Sequence, residues 1–150
     1  MQVIFGNDRV ILTFVMKKSI CTLKIPKSQM RSECPITNTL DLIGDKWTLL
    51  VIRDLLFLQK KLFHEFLESR EKIATNILTE RLKRLEECGI IEKHAYTKKP
   101  LRFEYILTKR GKTLKPLLLE FVKWGNTHIE GTFVPPKDLF RQKRKRKTVR

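Results

Sequence analysis

Thr75, Asn76 and Thr79 lie close together in "ATNILTERLKRLEECGIIEK" (74–93), and Lys83 follows about one helical turn later. At about 100° per residue, Asn76, Thr79 and Lys83 share one side of a helix, with Thr75 at its edge. This is hydrogen-bonding chemistry rather than catalysis. An Asn amide can bond an adenine edge through two contacts, a Thr hydroxyl can donate or accept, and a Thr methyl can meet a thymine methyl. Lys83 is suited to a phosphate oxygen. Glu86 and Glu87 stand at the far end of the stretch, where they repel a polyanion least. A plain solvated helix face would alternate Glu and Lys instead.

Two further groups carry chemistry. Lys98, Lys99 and Arg102 crowd the segment "YTKKPLR", a cationic turn suited to phosphates or to a minor groove, and Lys46 is a fourth candidate backbone contact. Cys34 stands just before Pro35 at a helix start, where the helix dipole and free N–H groups stabilise a thiolate. The other cysteines, Cys21 and Cys88, complete an odd number without CxxC spacing, which argues against a disulfide framework or a zinc ribbon. His64, His94 and His128 are far apart. No phosphate-binding loop, no nucleophile with a base at motif spacing and no carboxylate pair in context is present. The expectation is a chain that is not an enzyme and uses no metal and no cofactor.

The elements that must position these groups follow from apolar spacing. Pro35 opens a first helix with Ile36, Leu40 and Ile43 on one face, and Gly44 closes it. Asp45 caps a second helix, 46–58, apolar on nearly every side and so expected to be central and buried. A short helix follows at 63–69, with Phe66 and Leu67 inward, and then a turn at 70–74. In the helix from about 75 to 88, Ile77, Leu78, Leu82 and Leu85 form the buried arc and Gly89 is the stop. Arg81 falls near the buried arc and should pair or snorkel rather than read bases. "IIEKHAY" and "RFEYILT", joined through "TKKP", predict an antiparallel hairpin. Thr108 caps a last helix over about 109–130, in which Pro116 predicts a kink or a late start.

The chain has 150 residues and a formal net charge of +16. Residues 1–30 carry +4, residues 31–134 carry +5 and residues 135–150 carry +7. A charge of this sign suggests a polyanionic partner. No apolar run approaches the roughly 18 residues that span a bilayer, so no membrane partner and a cytoplasmic location are expected. The domain reading is a poorly ordered extension at 1–30, one domain at 31–132, and a disordered basic tail at 133–150 containing "RQKRKRK".

Helix, helix, short helix, turn, helix, hairpin, helix is the plan of a winged helix-turn-helix, mainly α with a small β-hairpin wing. "CPI…LDLIGDKWTLLVIRDLL", "FHEF", "IATNILTERLKRLEECGIIEK", "PLRFEYILTKRG" and "L…FVKWG" occur in the order in which the HxlR-type winged helix-turn-helix regulators carry such motifs. The chain resembles that family over about residues 33–130. It departs at Ala74, where the family often has a Ser-type cap, and at His64, which replaces a small polar residue. The resemblance implies a small transcription regulator that binds operator DNA as a dimer. It also places a sensor thiol for oxidants or electrophiles at Cys34. Apolar surface on the first and last helices, through Ile36, Leu40, Leu114, Leu118, Phe121 and Trp124, is the expected homodimer interface, with a pseudo-palindromic double-stranded operator as its counterpart. The competing reading is a winged-helix protein-interaction module whose basic tail binds nucleic acid non-specifically.

Overall fold

The computed structural model describes residues 31–134; the extension with Cys21 and the tail with "RQKRKRK" lie outside the described residues. The element order is α1 (Pro35–Ile43), α2 (Lys46–Arg53), a π-helical turn (Asp54–Leu58), α3 (Phe63–Leu67), α4 (Thr75–Glu87), β1 (Ile91–Lys98), β2 (Leu101–Leu107), α5 (Lys109–Lys112) and α6 (Lys115–His128). The fold is a winged helix-turn-helix, mainly helical with one antiparallel hairpin.

Local signals set most boundaries. Pro35 occupies the first turn of α1, and Gly44 donates its N–H to Leu40 O at 2.7 Å to end it. The Asp45 carboxylate caps α2, accepting from the N–H of Trp47 at 3.0 Å and of Thr48 at 3.1 Å. Glu65 folds back to accept from the N–H groups of Lys61 and Leu62, both at 2.7 Å, and so caps α3. Gly89 ends α4 with φ +63°, a left-handed conformation that other residues adopt at a cost. The single helix expected over about 109–130 is two: Thr108 caps the short α5, a turn follows, and α6 starts afresh with Pro116 in its first turn.

Two further expectations are corrected. The uniformly buried helix over 46–58 is instead an α-helix as far as Arg53, followed by a wider π turn that ends at Gln59 with φ 54°. Thr48, Val51 and Ile52 point inward and Leu58 outward, so the segment is two-sided. Leu118, expected on the partner-facing surface, is 6% exposed and belongs to this chain's own core, with Leu114 packed against it. The apolar residues of α6 divide between two faces. Leu118 and Leu119 go inward, while Leu117, Phe121 and Trp124 stay outside.

One core gathers Val51 and Ile52 of α2, Phe66 of α3, Leu78, Leu82 and Leu85 of α4, Ile91, Tyr105 and Leu107 of the hairpin, and Leu118 of α6. The rings of Phe66 and Tyr105 meet edge to face at 6.4 Å between centroids, which ties α3 to the wing. The hairpin pairs Ile91 with Leu107 through Lys98 with Leu101, with a register shift around Tyr96. The Tyr105 N–H donates to Lys61 O at 2.8 Å, so the segment before α3 runs along the hairpin's inner edge.

Candidate nucleic-acid interface

α4 divides cleanly between its two sides. Leu78, Leu82 and Leu85 are buried, whereas Thr75, Asn76, Thr79 and Lys83 are all exposed. Ala74 is the N-cap residue and offers no side-chain acceptor; Thr75 does not take over that role. The first turn of α4 therefore carries N–H groups without a side-chain partner, beside Thr75 and Asn76. The Thr79 hydroxyl donates to Thr75 O at 2.8 Å. It therefore offers an outside partner its lone pairs and its methyl, rather than its proton. Lys83 lies 3.8 Å from Glu87 in an exposed pair that costs little to break.

The middle and the C-terminal end of α4 are pinned by neighbours. Near its middle, Arg81 Nε sits 2.9 Å from Asp45 Oδ1, so the carboxylate that caps α2 also holds α4. Arg84 donates to the Asp41 carbonyl at the end of α1, and Arg31 bonds the Asp41 carboxylate through two nitrogens. Arg81 and Arg84 are thus committed to structure. At the C-terminal end, Arg110 Nη1 donates to Cys88 O at 2.9 Å and the Thr108 hydroxyl donates to Gly89 O at 2.8 Å. Gly111 makes this junction possible, because a Cβ there would lie 2.2 Å from Ile90 O.

The turn that leads into α4 rests on a polar cluster that sequence reasoning missed. Asp54, 3% exposed, accepts from Arg53 Nε at 2.8 Å and Nη2 at 2.6 Å, and from the Ser69 hydroxyl at 2.5 Å. Lys60 Nζ lies 3.2 Å from the same carboxylate and donates to Ser69 Oγ at 2.6 Å. Arg53 also bonds Glu71 at 2.5 and 3.1 Å. The π turn is thereby fastened to the Ser69–Glu71 segment. The Arg53 guanidinium, above all by hydrogen bonding, holds the Glu71 carboxyl at about 2, well below its ordinary 4.5. A carboxylate with a depressed folded-state value stabilises the fold fully above its unfolded value, and that contribution is lost as pH falls toward 2. Glu71→Gln should accordingly lose stability less steeply than the parent between pH 4.5 and 2. Urea unfolding across that window measures it, and parallel slopes would contradict the assignment.

The wing end brings Lys98, Lys99 and Arg102 to the hairpin tip, all exposed and, among the described residues, without an acidic partner. Lys46 is exposed at the start of α2 with its ammonium 5.1 Å from the Trp47 ring centre. Cys34 is the exposed N-cap residue of α1. The Thr37 N–H chiefly, then the Thr37 hydroxyl and the Ile36 N–H, hold its thiol below the ordinary value. Along α1, Ile36 and Leu40 line an apolar groove of about 380 Å³ with Leu49, Leu117 and Phe121. Among the described residues no cluster of three potential metal ligands occurs, and no helix is long and apolar enough to cross a membrane.

Known proteins share this arrangement. The family model of the HxlR-like helix-turn-helix matches residues 42–133. The HTH-type transcriptional regulator YdeP of Bacillus subtilis strain 168 is 39% identical over 95 residues, 63% of this chain and 73% of that protein. Among solved structures, the redox regulator HypR in its reduced form is 36% identical, with a TM-score of 0.58 over 63% of this chain and 92% of its own. Its oxidised form gives 37% identity and 0.56, over 63% and 96% of the two chains. The reduced form of the transcriptional regulator YodB from B. subtilis is 30% identical, with a TM-score of 0.54 over 68% and 100% of the two chains.

Proposed function

Because the chain belongs to the HxlR-like helix-turn-helix family of DNA-binding transcription regulators, we propose that it reads a specific, pseudo-palindromic operator as a homodimer. The observation that carries this is the two-sidedness of α4, with its leucines buried and Thr75, Asn76 and Thr79 exposed. These three are the base readers, in the part of the helix from which such contacts are made. Lys83, Lys98, Lys99, Arg102 and Lys46 are the backbone contacts that set position and register without carrying sequence information.

The apolar face of Ile36, Leu40, Leu117, Phe121 and Trp124 supports the dimer. Ile36 is 70% exposed and Phe121 56% exposed, and two copies meeting on this face would withdraw both from water. A two-fold axis there gives two copies of α4 and a symmetric site. The experiment is a nuclease footprint on the intergenic DNA upstream of the gene, paired with the solution mass of the protein. A protected two-fold site and a dimeric mass are expected. Binding that is uniform along the DNA would reject the operator reading and favour a protein-interaction module.

Cys34 is the proposed regulatory group. Its thiolate can attack one oxygen of hydrogen peroxide, breaking the O–O bond to give a sulfenic acid and expelling hydroxide, which takes a proton from solvent to become water. An exposed thiol at a helix N-cap, held below its ordinary value, is suited to that reaction. Similarity to HypR, a redox regulator solved in reduced and oxidised forms, supports the assignment. Treatment with hydrogen peroxide is expected to change operator affinity at least several-fold in the parent and to leave Cys34→Ser unchanged. An equal response from both proteins would remove Cys34 from the mechanism.

A further inference from the structure

Most large apolar side chains left exposed cluster on α1, on α6 and just beyond it, where Ile36, Leu40, Leu117, Phe121, Trp124, Ile129, Phe133 and Val134 lie. Beyond Leu58 on the π turn, the others among the described residues are Tyr96 and Leu101, both in the free half of the hairpin. Leu101 is 61% exposed. Alternate positions of β2, Leu107, Tyr105, Phe103 and Leu101, fall on one face. The first two are buried, Phe103 is half-buried under the Lys93 ammonium at 4.1 Å, and Leu101 continues the stripe past the body into solvent.

The backbone fixes where this side chain stands. The register shift at Tyr96 pairs Lys98 with Leu101 and Thr97 with Arg102, so Leu101 shares its face with one lysine and has Arg102 behind it. The Thr97 hydroxyl donates to Pro100 O at 2.7 Å across the turn, which stiffens the tip. From Tyr96 to Arg102 the chain holds three cations and no acid. A docking surface for a protein would gain from opposite charges of both kinds; a tip that is only cationic around an apolar centre matches a duplex, with phosphates at the rim and stacked bases inside.

Resting on the DNA-reading assignment of α4, we propose that Leu101 is an apolar wedge that the wing inserts into the minor groove, partly unstacking one base step beside the site read by α4. Leu101 cannot hydrogen-bond a base edge, so its contact discriminates by how readily the step opens. Pyrimidine–purine steps, TA above all, unstack most easily. The operator therefore carries a sequence requirement at a step that no polar side chain contacts.

The probe is the duplex that the protein itself selects from a random-sequence pool, with 2-aminopurine placed at successive flanking steps. Binding of the parent should raise fluorescence at one flanking step. Changing that step from TA to AA should weaken binding about tenfold, the scale of a single unfavourable base step. Leu101→Ser, an exchange at an exposed position, should abolish the fluorescence rise and bring the two duplexes to within about twofold of each other. Lys98→Ala with Lys99→Ala should weaken both duplexes alike and keep the preference between them. A Leu101→Ser protein that keeps the fluorescence rise and the TA preference overturns the wedge. So does a parent that selects a duplex but unstacks no step, which leaves the α4 reading standing. A parent that selects no duplex at all overturns both.

Discussion

Asn76→Ala combined with Thr79→Ala should collapse the preference for operator over random DNA while leaving the fold intact. Both side chains are exposed, and alanine is the stronger helix former at each position. Stability should therefore stay level or rise slightly. A good base-edge contact is worth about 1–3 kcal/mol of discrimination. Losing two should lower the ratio of specific to non-specific affinity on the order of a hundredfold or more. The non-specific component should remain, because it rests on Lys83, Lys98, Lys99 and Arg102 and on phosphate neutralisation. Competition gel shifts at fixed salt, with thermal melts on the same preparations, separate the two effects. An unchanged ratio in a folded double variant would move base reading away from this face of α4.

Asp54→Ala should be the most damaging single exchange outside the apolar core. It leaves the Arg53 guanidinium and the Lys60 ammonium facing a buried space without their shared acceptor, and it strips the Ser69 hydroxyl of its partner. Removing one member of a buried ion pair costs about 3–5 kcal/mol, and the partial exposure of Arg53 and Lys60 places this case toward the lower end. Asp54→Asn keeps an acceptor for Ser69 and should lie between the variant and the parent. The effect should extend to DNA, because Ser69 and Glu71 lie in the turn that delivers α4. Denaturant unfolding together with operator affinity is the measurement. An Asp54→Ala protein within about 0.5 kcal/mol of the parent, the usual scale of an ordinary surface exchange, would show that the cluster holds nothing together.

The parts of this structure legible in the sequence are those with local causes. Asp45 before an apolar run, Gly89 after one, Pro116 near a helix start and Thr108 before one each act within a turn of themselves, and each stands where its chemistry indicates. The free side of α4 was legible too, because periodicity separates Asn76 and Thr79 from the leucines. The division of α6 was not. Leu114 and Leu118 share one helical spacing and Leu117, Phe121 and Trp124 another, and nothing in either series says which faces the chain's own core. The Asp54 cluster was invisible for a different reason. Its members are spread from Arg53 to Glu71, and only the packing of the π turn against the α3–α4 segment brings them together. Asp54 in an apolar stretch was the one available signal, since a carboxylate there must find partners or face out.

α1 buries one residue, Ile43, and its exposed Ile36 and Leu40 line the groove shared with Leu49, Leu117 and Phe121. Under the proposed dimer, a second copy on that groove would add to the free energy that keeps α1 in place, so folding of this segment and association would be coupled. Mass action then makes the protein's own concentration a control variable. On that reading Arg84 would carry the control onward, since it bonds α4 to the Asp41 carbonyl of α1. A scarce regulator would hold a looser α4, and an abundant one would hold α4 ready to bind.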